Sequence, residues 1–187
     1  MLPCGWGVVT GFADATRMPS MTSWSDLAAA HPDLAERAQQ ILDRHRHKTL
    51  ATLRRDGSPR ISGIESRFAD GELWLGMMPG SRKAADLRLD PRMALHSASE
   101  EPDDDDPAVW PPDAKVAGVA VEVTDPAAFR RLAEIEGGDP DEAGPGTYHL
   151  FRIDVTELVT ITVGTPPDHL LIDYWTVPGG RRTVKRT

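Results

Sequence analysis

Apolar and polar positions first alternate at helical spacing. Apolar residues recur every three or four positions at Leu34, Ala38, Ile41 and Leu42. With charges between them, they predict an amphipathic helix in which Pro32 suits the first position. Ser25 is placed to cap a shorter helix over residues 26–30. The basic run 43–48 is interpreted as a solvated helix end, since its histidines, two positions apart, cannot share a helix face as a metal pair.

From residue 49 the pattern changes to short apolar or alternating runs between turn residues, which is typical of β-strands. The predicted strands cover residues 49–53, 60–68, 72–78, 92–97, 115–124, 148–163 and 170–177. Asp70-Gly71 predicts a two-residue hairpin turn. Asp125-Pro126 predicts the start of a helix, by a cap and a first-position proline. The apolar side of that helix is formed by Phe129, Leu132, Ala133 and Ile135.

The stretch 76–91 (G-M-M-P-G-S-R-K-A-A-D-L-R-L-D-P) predicts a strand end, a break and a short helix. Ser81 suits the N-cap of this helix, because its hydroxyl can accept from backbone N–H groups of the first turn. Arg82 and Lys83 follow at the positive end of the helix dipole, where an anion is favoured and cations are not. The cluster therefore indicates a phosphate site, with solvated surface charges as the alternative.

The predicted elements run in the order helix, three strands, helix, two strands, helix, and two or three strands, ending in a basic tail at 181–186. There is no βαβ alternation and no GxGxxG motif, which argues against a Rossmann domain. A closed or split antiparallel barrel buries this many strands and removes their edges. The acidic, proline-containing run 100–107 is interpreted as a solvated loop and not as a calcium site, because it lacks spaced ligands around a turning glycine.

Composition and net charge indicate a globular domain and argue against some classes of partner. The chain has 187 residues, of which 40% are hydrophobic and 27% charged, as expected of a globular domain. We assign this domain to residues 21–187 and interpret residues 1–20, which show no periodicity, as a disordered or upstream extension. The net charge of −8 argues against nucleic acid as the main partner. No apolar run approaches the roughly 20 residues that span a bilayer.

A single cysteine, Cys4, excludes an internal disulfide and a multi-cysteine zinc site. This cysteine usage predicts a reducing, cytoplasmic setting. No metal site is predicted.

Residues 48–96 contain, in order, L-A-T-L-R-R-D-G-S-P-R-I-S, D-G-E-L-W-L-G-M-M and S-R-K-A-A-D-L-R-L-D-P-R-M-A-L. This combination resembles the pyridoxamine 5′-phosphate oxidase-like split β-barrel family, and the likeness continues more weakly to Val163. The resemblance implies a mainly β (α+β) fold, a six-stranded antiparallel split barrel with inserted helices. It also implies a homodimer that holds FMN, or the deazaflavin F420, in grooves at the subunit interface.

The same resemblance implies a cofactor site. Lys83 matches the phosphate-binding lysine of the family, and Ser81 and Arg82 flank it. Positions along the flavin are matched on the second strand by Arg60, Ser62, Gly63 and Ile64. Positions leading toward the phosphate are matched on the third strand by Gly76, Met77 and Met78. Core packing is the alternative for one of the two methionines, and a β-bulge without a ligand is the alternative for Gly63.

The leading hypothesis is an FMN- or F420-dependent oxidoreductase that transfers hydride to or from a small-molecule substrate, with FMN slightly preferred. The substrate-binding region of the true oxidase is not found in the tail, so vitamin B6 oxidation is not expected. Trp175 and Arg181 are candidates to reach the partner's groove, although packing and surface roles are favoured. The alternative function is a non-catalytic flavin or haem carrier, with His96 or His149 as a haem ligand.

Overall fold

The computed structural model describes residues 21–187, so the predicted extension 1–20, including Cys4, lies outside the described residues. Within them the helices are α1 Trp24–Ala30, α2 Pro32–Asp43, α3 Arg82–Leu89 and α4 Pro126–Ile135. The strands are β1 His47–Leu53, β2 Pro59–Ala69, β3 Glu72–Met77, β4 Arg92–His96, β5 Asp113–Val123, β6 His149–Val163, β7 Leu170–Thr176 and β8 Gly180–Arg186. No helix of this part of the chain is both long and apolar enough to cross a membrane.

The strands pair in the order β3-β2-β1-β4-β5-β6, and a further pairing of β3 with β6 closes the ring. All ladders between named strands are antiparallel. The long strand β6 pairs with β3 through its first residues and with β7 through its last ones. The hairpin of β7 and β8 thus extends the sheet beyond the barrel. The predicted six-stranded antiparallel split barrel with inserted helices is confirmed.

Apolar side chains from the strands fill the barrel, and α1 and α2 pack against it. The predicted helical face of α2 is confirmed, because Leu34, Ala38, Ile41 and Leu42 are all buried in this core. Each fully buried leucine contributes about 1.5–3 kcal/mol relative to an exposed one. A second cluster lies outside the barrel, where Phe129 and Leu132 of α4 pack on Trp74 and Leu150. Helix α4 is therefore fixed over the outer face of β3 and β6.

The predicted hairpin turn at Asp70-Gly71 and the predicted helix cap at Asp125 are both confirmed. Asp70 and Gly71 have φ values of 53° and 74°, as the tight hairpin between β2 and β3 requires. The Asp125 side chain accepts from the backbone N–H of Ala127 at 3.0 Å and so caps α4. Ile135 departs from the prediction, since it is the last residue of α4 and its side chain is exposed.

Two predictions near the first helices are wrong. The cap of α1 is Ser23, whose hydroxyl accepts from the Asp26 N–H at 3.0 Å, because the Ser25 hydroxyl donates instead to Glu72 at 2.7 Å. The run 43–48 is not a solvated helix end throughout, since β1 already begins within it. Lys48 is buried there, and its ammonium donates to two backbone carbonyls.

Candidate functional site

A groove of about 910 Å³ lies on the outer face of the β2–β3 hairpin. Its floor consists of outward-facing positions of these two strands, because alternation along β2 buries Ile64 and exposes Gly63 and Glu65. One wall is the turn before α3 together with Lys83 near the start of that helix. The opposite wall is the end of α4 and the loop that follows it.

Two floor positions of the groove, Gly63 and Gly76, are glycines and so have no side chain. A Cβ atom added at Gly63 would meet no atom within 4 Å, so it would project into open space. One added at Gly76 would come within 3.0 Å of Arg67 Nη2, because this guanidinium lies over the glycine. A planar ligand can therefore approach the backbone at Gly63 more closely than over ordinary side chains, whereas at Gly76 the Arg67 guanidinium occupies this space.

Lys83 supplies a cation at the edge of this floor. Its Nζ donates to the carbonyl oxygen of Gly63 at 2.5 Å, and among residues 21–187 it forms no ion pair. Burial lowers the pKa of Lys83. An ammonium group has three N–H donors, so two remain for an anion that enters the groove.

Ser81 lines the groove beside Lys83 and occupies the predicted N-cap position of α3, but the predicted hydrogen bond to its hydroxyl is not formed. Its backbone has φ −59° and ψ 126°, and the side chain makes no capping hydrogen bond to α3. The first-turn N–H groups of a helix have no intrahelical partner. Ser81 and the start of α3 lie at the same end of the groove as Lys83. A hydroxyl, free N–H groups and an ammonium are a suitable set of donors for a phosphate.

The two methionines have different environments. Met77 is buried in the barrel core, so the alternative of core packing applies to this residue. Met78 is 80% exposed at the rim of the groove, where it can cover a bound ring. Both residues, like Ile64, still contribute atoms to the lining.

Seven of the ten predicted site residues line the groove: Gly63, Ile64, Gly76, Met77, Met78, Ser81 and Lys83. Arg60, Ser62 and Arg82 do not. Arg60 is held by Asp86, to which its Nε donates at 2.6 Å. The Ser62 hydroxyl is buried, because the alternation that exposes Gly63 turns its neighbour away. The Arg82 side chain is exposed and lies on a different side of α3, as expected of a residue one position away from Lys83 on a helix.

Sequence reasoning missed the residues of the far wall. Arg67 crosses the floor and pairs with Glu136 at the end of α4. Tyr148 packs on Phe129 with ring centroids 4.8 Å apart, and burial raises the pKa of its hydroxyl. Arg67 lies on the same strand face as Gly63, so alternation alone offers a signal for it. Glu136 and Tyr148 come from distant segments, for which the sequence offers no local signal.

The other residues considered for cofactor contacts lie elsewhere. His96 Nδ1 lies 2.7 Å from the carbonyl oxygen of Ser97. His149 Nδ1 lies 3.0 Å from Arg88, and neither histidine lines the groove. Trp175 is buried in the core of its own chain. Arg181 donates to two carboxylates of the same chain, so the favoured packing and surface roles describe both residues.

A second cavity, of about 440 Å³, lies on the outer sheet face of β1, β2, β4 and β5. Its lining includes three alanines, Ala51, Ala94 and Ala117, and also the polar side chains of His96, Lys115 and Glu157. Ile61 borders it with 75% of its surface exposed. This face therefore combines an apolar area around Ile61 and the alanines with charged groups of Lys115 and Glu157, and it is open to solvent.

Comparison with known proteins identifies the fold independently. A family model described as Pyridoxamine 5′-phosphate oxidase matches residues 34–161. No curated protein matches the chain significantly.

Solved structures with a similar backbone include three from bacteria. The conserved hypothetical protein Rv2991 from Mycobacterium tuberculosis is 29% identical over 64% of this chain and 78% of its own, with a TM-score of 0.48. General Stress Protein 26 from Bacillus anthracis is 16% identical, and the match covers 76% of this chain and 97% of that protein, with a TM-score of 0.51. Campylobacter jejuni ChuZ is 9% identical, and the match covers 78% of this chain and 60% of that protein, with a TM-score of 0.56. The last two share the fold with this chain.

Proposed function

Because the chain belongs to the pyridoxamine 5′-phosphate oxidase family, we propose that it is an FMN-dependent oxidoreductase that transfers hydride to or from a small-molecule substrate. The observation that carries this proposal is the groove, which combines a glycine floor with a lysine that has no carboxylate partner among the described residues. A flat, narrow surface suits the flavin ring, and a cation at a helix start suits its phosphate.

The residues of the groove fit the two ends of FMN. Lys83, the Ser81 hydroxyl and the first-turn N–H groups of α3 would hold the phosphate. Gly63 would form the floor beneath the ring, and Met78 would lie beside it. When bound, FMN supplies the hydride chemistry, whereas the protein binds and orients the reactants and excludes water. No side-chain nucleophile or metal is needed for this reaction class.

Charge on the far wall favours FMN over F420. Glu136, Asp139 and Glu142 line that wall, and among residues 21–187 only Glu136 pairs with a cation, Arg67. F420 carries a polyglutamate tail, and carboxylates repel carboxylates at short range. FMN has no such tail, so it avoids this repulsion.

We also propose that the protein acts as a homodimer through the outer sheet face around Ile61. Contiguous exposed apolar surface on a globular protein often marks an interaction site. The alanines of this face allow a second flat sheet to approach closely. A family resemblance that implies a cofactor groove at a subunit interface agrees with this arrangement.

The test is a titration of the purified protein with FMN, riboflavin and F420, followed by absorbance and flavin fluorescence. The proposal expects FMN to bind more tightly than riboflavin, which lacks the phosphate, and more tightly than F420. Tighter binding of F420 would show that F420 is the cofactor, and it would leave the groove as the binding site. Binding of none of the three would refute the site, and a haem absorbance band would favour the carrier function. FMN binding without oxidation or reduction of any tested donor would favour a flavin carrier.

A further inference from the structure

Asp86 is a buried carboxylate on α3 that the cofactor site does not use directly. It is 6% exposed and does not line the groove. Its Oδ2 accepts from the Thr52 hydroxyl of β1 at 2.9 Å and from Arg60 Nε of β2 at 2.6 Å. One carboxylate therefore ties the helix to two adjacent strands of the barrel.

The contacts of α3 with β2 occur at matching intervals. Arg60 lies three positions before Gly63 on the strand, and Asp86 lies three positions after Lys83 on the helix. The pairs Arg60–Asp86 and Gly63–Lys83 are therefore two successive points along an antiparallel crossing. Helix α3 has only eight residues, so fixing one point strongly constrains the other.

The other attachments of α3 are apolar contacts and an ion pair near its end, in which Arg88 donates to Glu122 of β5. Ala84 and Leu87 are buried in the barrel core. Such contacts hold the helix against the sheet, but they are non-directional and leave its rotation weakly specified. Hydrogen bonds between charged groups have strict geometry. The Asp86 contacts lie three positions from Lys83, nearer than the Arg88 pair, so they constrain most directly the direction in which Lys83 projects.

We propose that Asp86 is a positioning residue that, through Arg60 and Thr52, holds α3 so that Lys83 faces the phosphate end of the groove. This inference rests on the proposed FMN site. It also gives Arg60 a different task from contact with the flavin, since Arg60 acts here as the strand anchor of the helix.

Simple electrostatics makes the opposite prediction. Removing a carboxylate near a phosphate site lowers repulsion, and it also releases Arg60 as an additional cation. By charge alone, loss of Asp86 would tighten phosphate binding. Loss of positioning instead weakens it, so the sign of the change separates the two explanations.

The experiment compares FMN with riboflavin in the wild type, Asp86→Ala and Asp86→Asn. The ratio of the two affinities isolates the phosphate, because the ring is common to both ligands. In Asp86→Ala we expect this ratio to fall by about tenfold, the value of one lost charge-assisted contact. Riboflavin affinity should stay close to that of the wild type. Asparagine keeps an oxygen acceptor in place, so Asp86→Asn should restore part of the ratio.

Asp173→Ala is the matched control for general destabilisation. Asp173 is also a buried carboxylate, 5% exposed, that accepts from two arginines, but it lies on β7 away from the groove. This variant should lower the melting temperature and leave the ratio unchanged. A second variant, Lys83→Ala combined with Asp86→Ala, should show no further loss beyond Lys83→Ala alone, because both changes remove the same contact.

An unchanged or increased ratio in folded Asp86→Ala would overturn the positioning role. If Asp86→Ala does not fold, Thr52→Val removes one donor and keeps the ion pair, and a smaller fall in the ratio is then the expected result. No fall in that variant would count equally against the inference. If the wild type binds FMN and riboflavin equally well, the proposed phosphate site is refuted, and the role of Asp86 is refuted with it.

Discussion

The floor of the groove makes a prediction that can be worked through in detail, for the substitution Gly63→Ala. The added methyl group meets no atom within 4 Å in the free protein. The backbone at this position is ordinary strand, so alanine introduces no strain there. The free variant should therefore fold with wild-type or slightly higher stability, since replacing glycine at a compatible site stabilises by about 0.4–1 kcal/mol.

The complex should respond differently. Carbon atoms in contact lie about 3.5–4.0 Å apart, so a ring resting on the strand at Gly63 has to move away to accommodate a methyl group. It then loses its contact with the floor and the alignment of its edge with the strand. We expect FMN and riboflavin to lose affinity by the same factor, about tenfold or more, which corresponds to about 1.4 kcal/mol.

Flavin fluorescence titration measures both affinities, and a thermal melt without ligand confirms folding. Gly144→Ala is the matched control, because an added Cβ there also meets no atom within 4 Å and this residue does not line the groove. Folded Gly63→Ala with wild-type affinity for both flavins would show that the ring does not lie on this floor.

Three further predictions concern other parts of the molecule. Lys83→Ala should weaken FMN but not riboflavin by about 1.5–3 kcal/mol, measured by the same titration; equal affinities in variant and wild type would contradict the phosphate site. Hydrogen bonds from Arg181 lower the pKa of Asp33 to about 2 and also lower the pKa of Asp173. The pKa values of both carboxyl groups are lower in the folded than in the unfolded protein, so the ion pairs stabilise the fold fully above about pH 4 and lose this contribution as the pH falls toward 2. The melting temperature should therefore fall between about pH 4 and pH 2, and it should fall less in Asp173→Asn. Ile61→Glu should convert a dimer to a monomer in light scattering with an unchanged circular dichroism spectrum, and a wild-type protein that is already monomeric would refute the dimer.

Much of the barrel is predictable because its signals are local. Asp70-Gly71 specifies a hairpin whatever surrounds it, and Asp125-Pro126 specifies a helix start. The order of strands between these turns favours a barrel, and the short motif around Lys83 indicates where we propose that a phosphate binds. For these features the information lies within a few neighbouring residues.

The rest depends on partners that are distant in sequence. Arg60 is drawn to Asp86, which lies on another element, so its strand position alone does not indicate its direction. Ser25 donates to Glu72 instead of capping its helix, again because of a distant acceptor. The far wall of the groove comes from α4 and its following loop, whose position is fixed only by packing on β3 and β6.

Strand β6 has a consequence for the order of folding. It closes the barrel by pairing Gly76 with Leu150, residues that are far apart in the chain. Contacts of such high sequence separation require costly loop closure and form slowly. The wall formed by α4 and the wall formed by α3 come together across this closure. We therefore expect flavin binding to develop only in the last kinetic phase of refolding, after the local hairpins have formed, so that cofactor capture reports completion of the native topology.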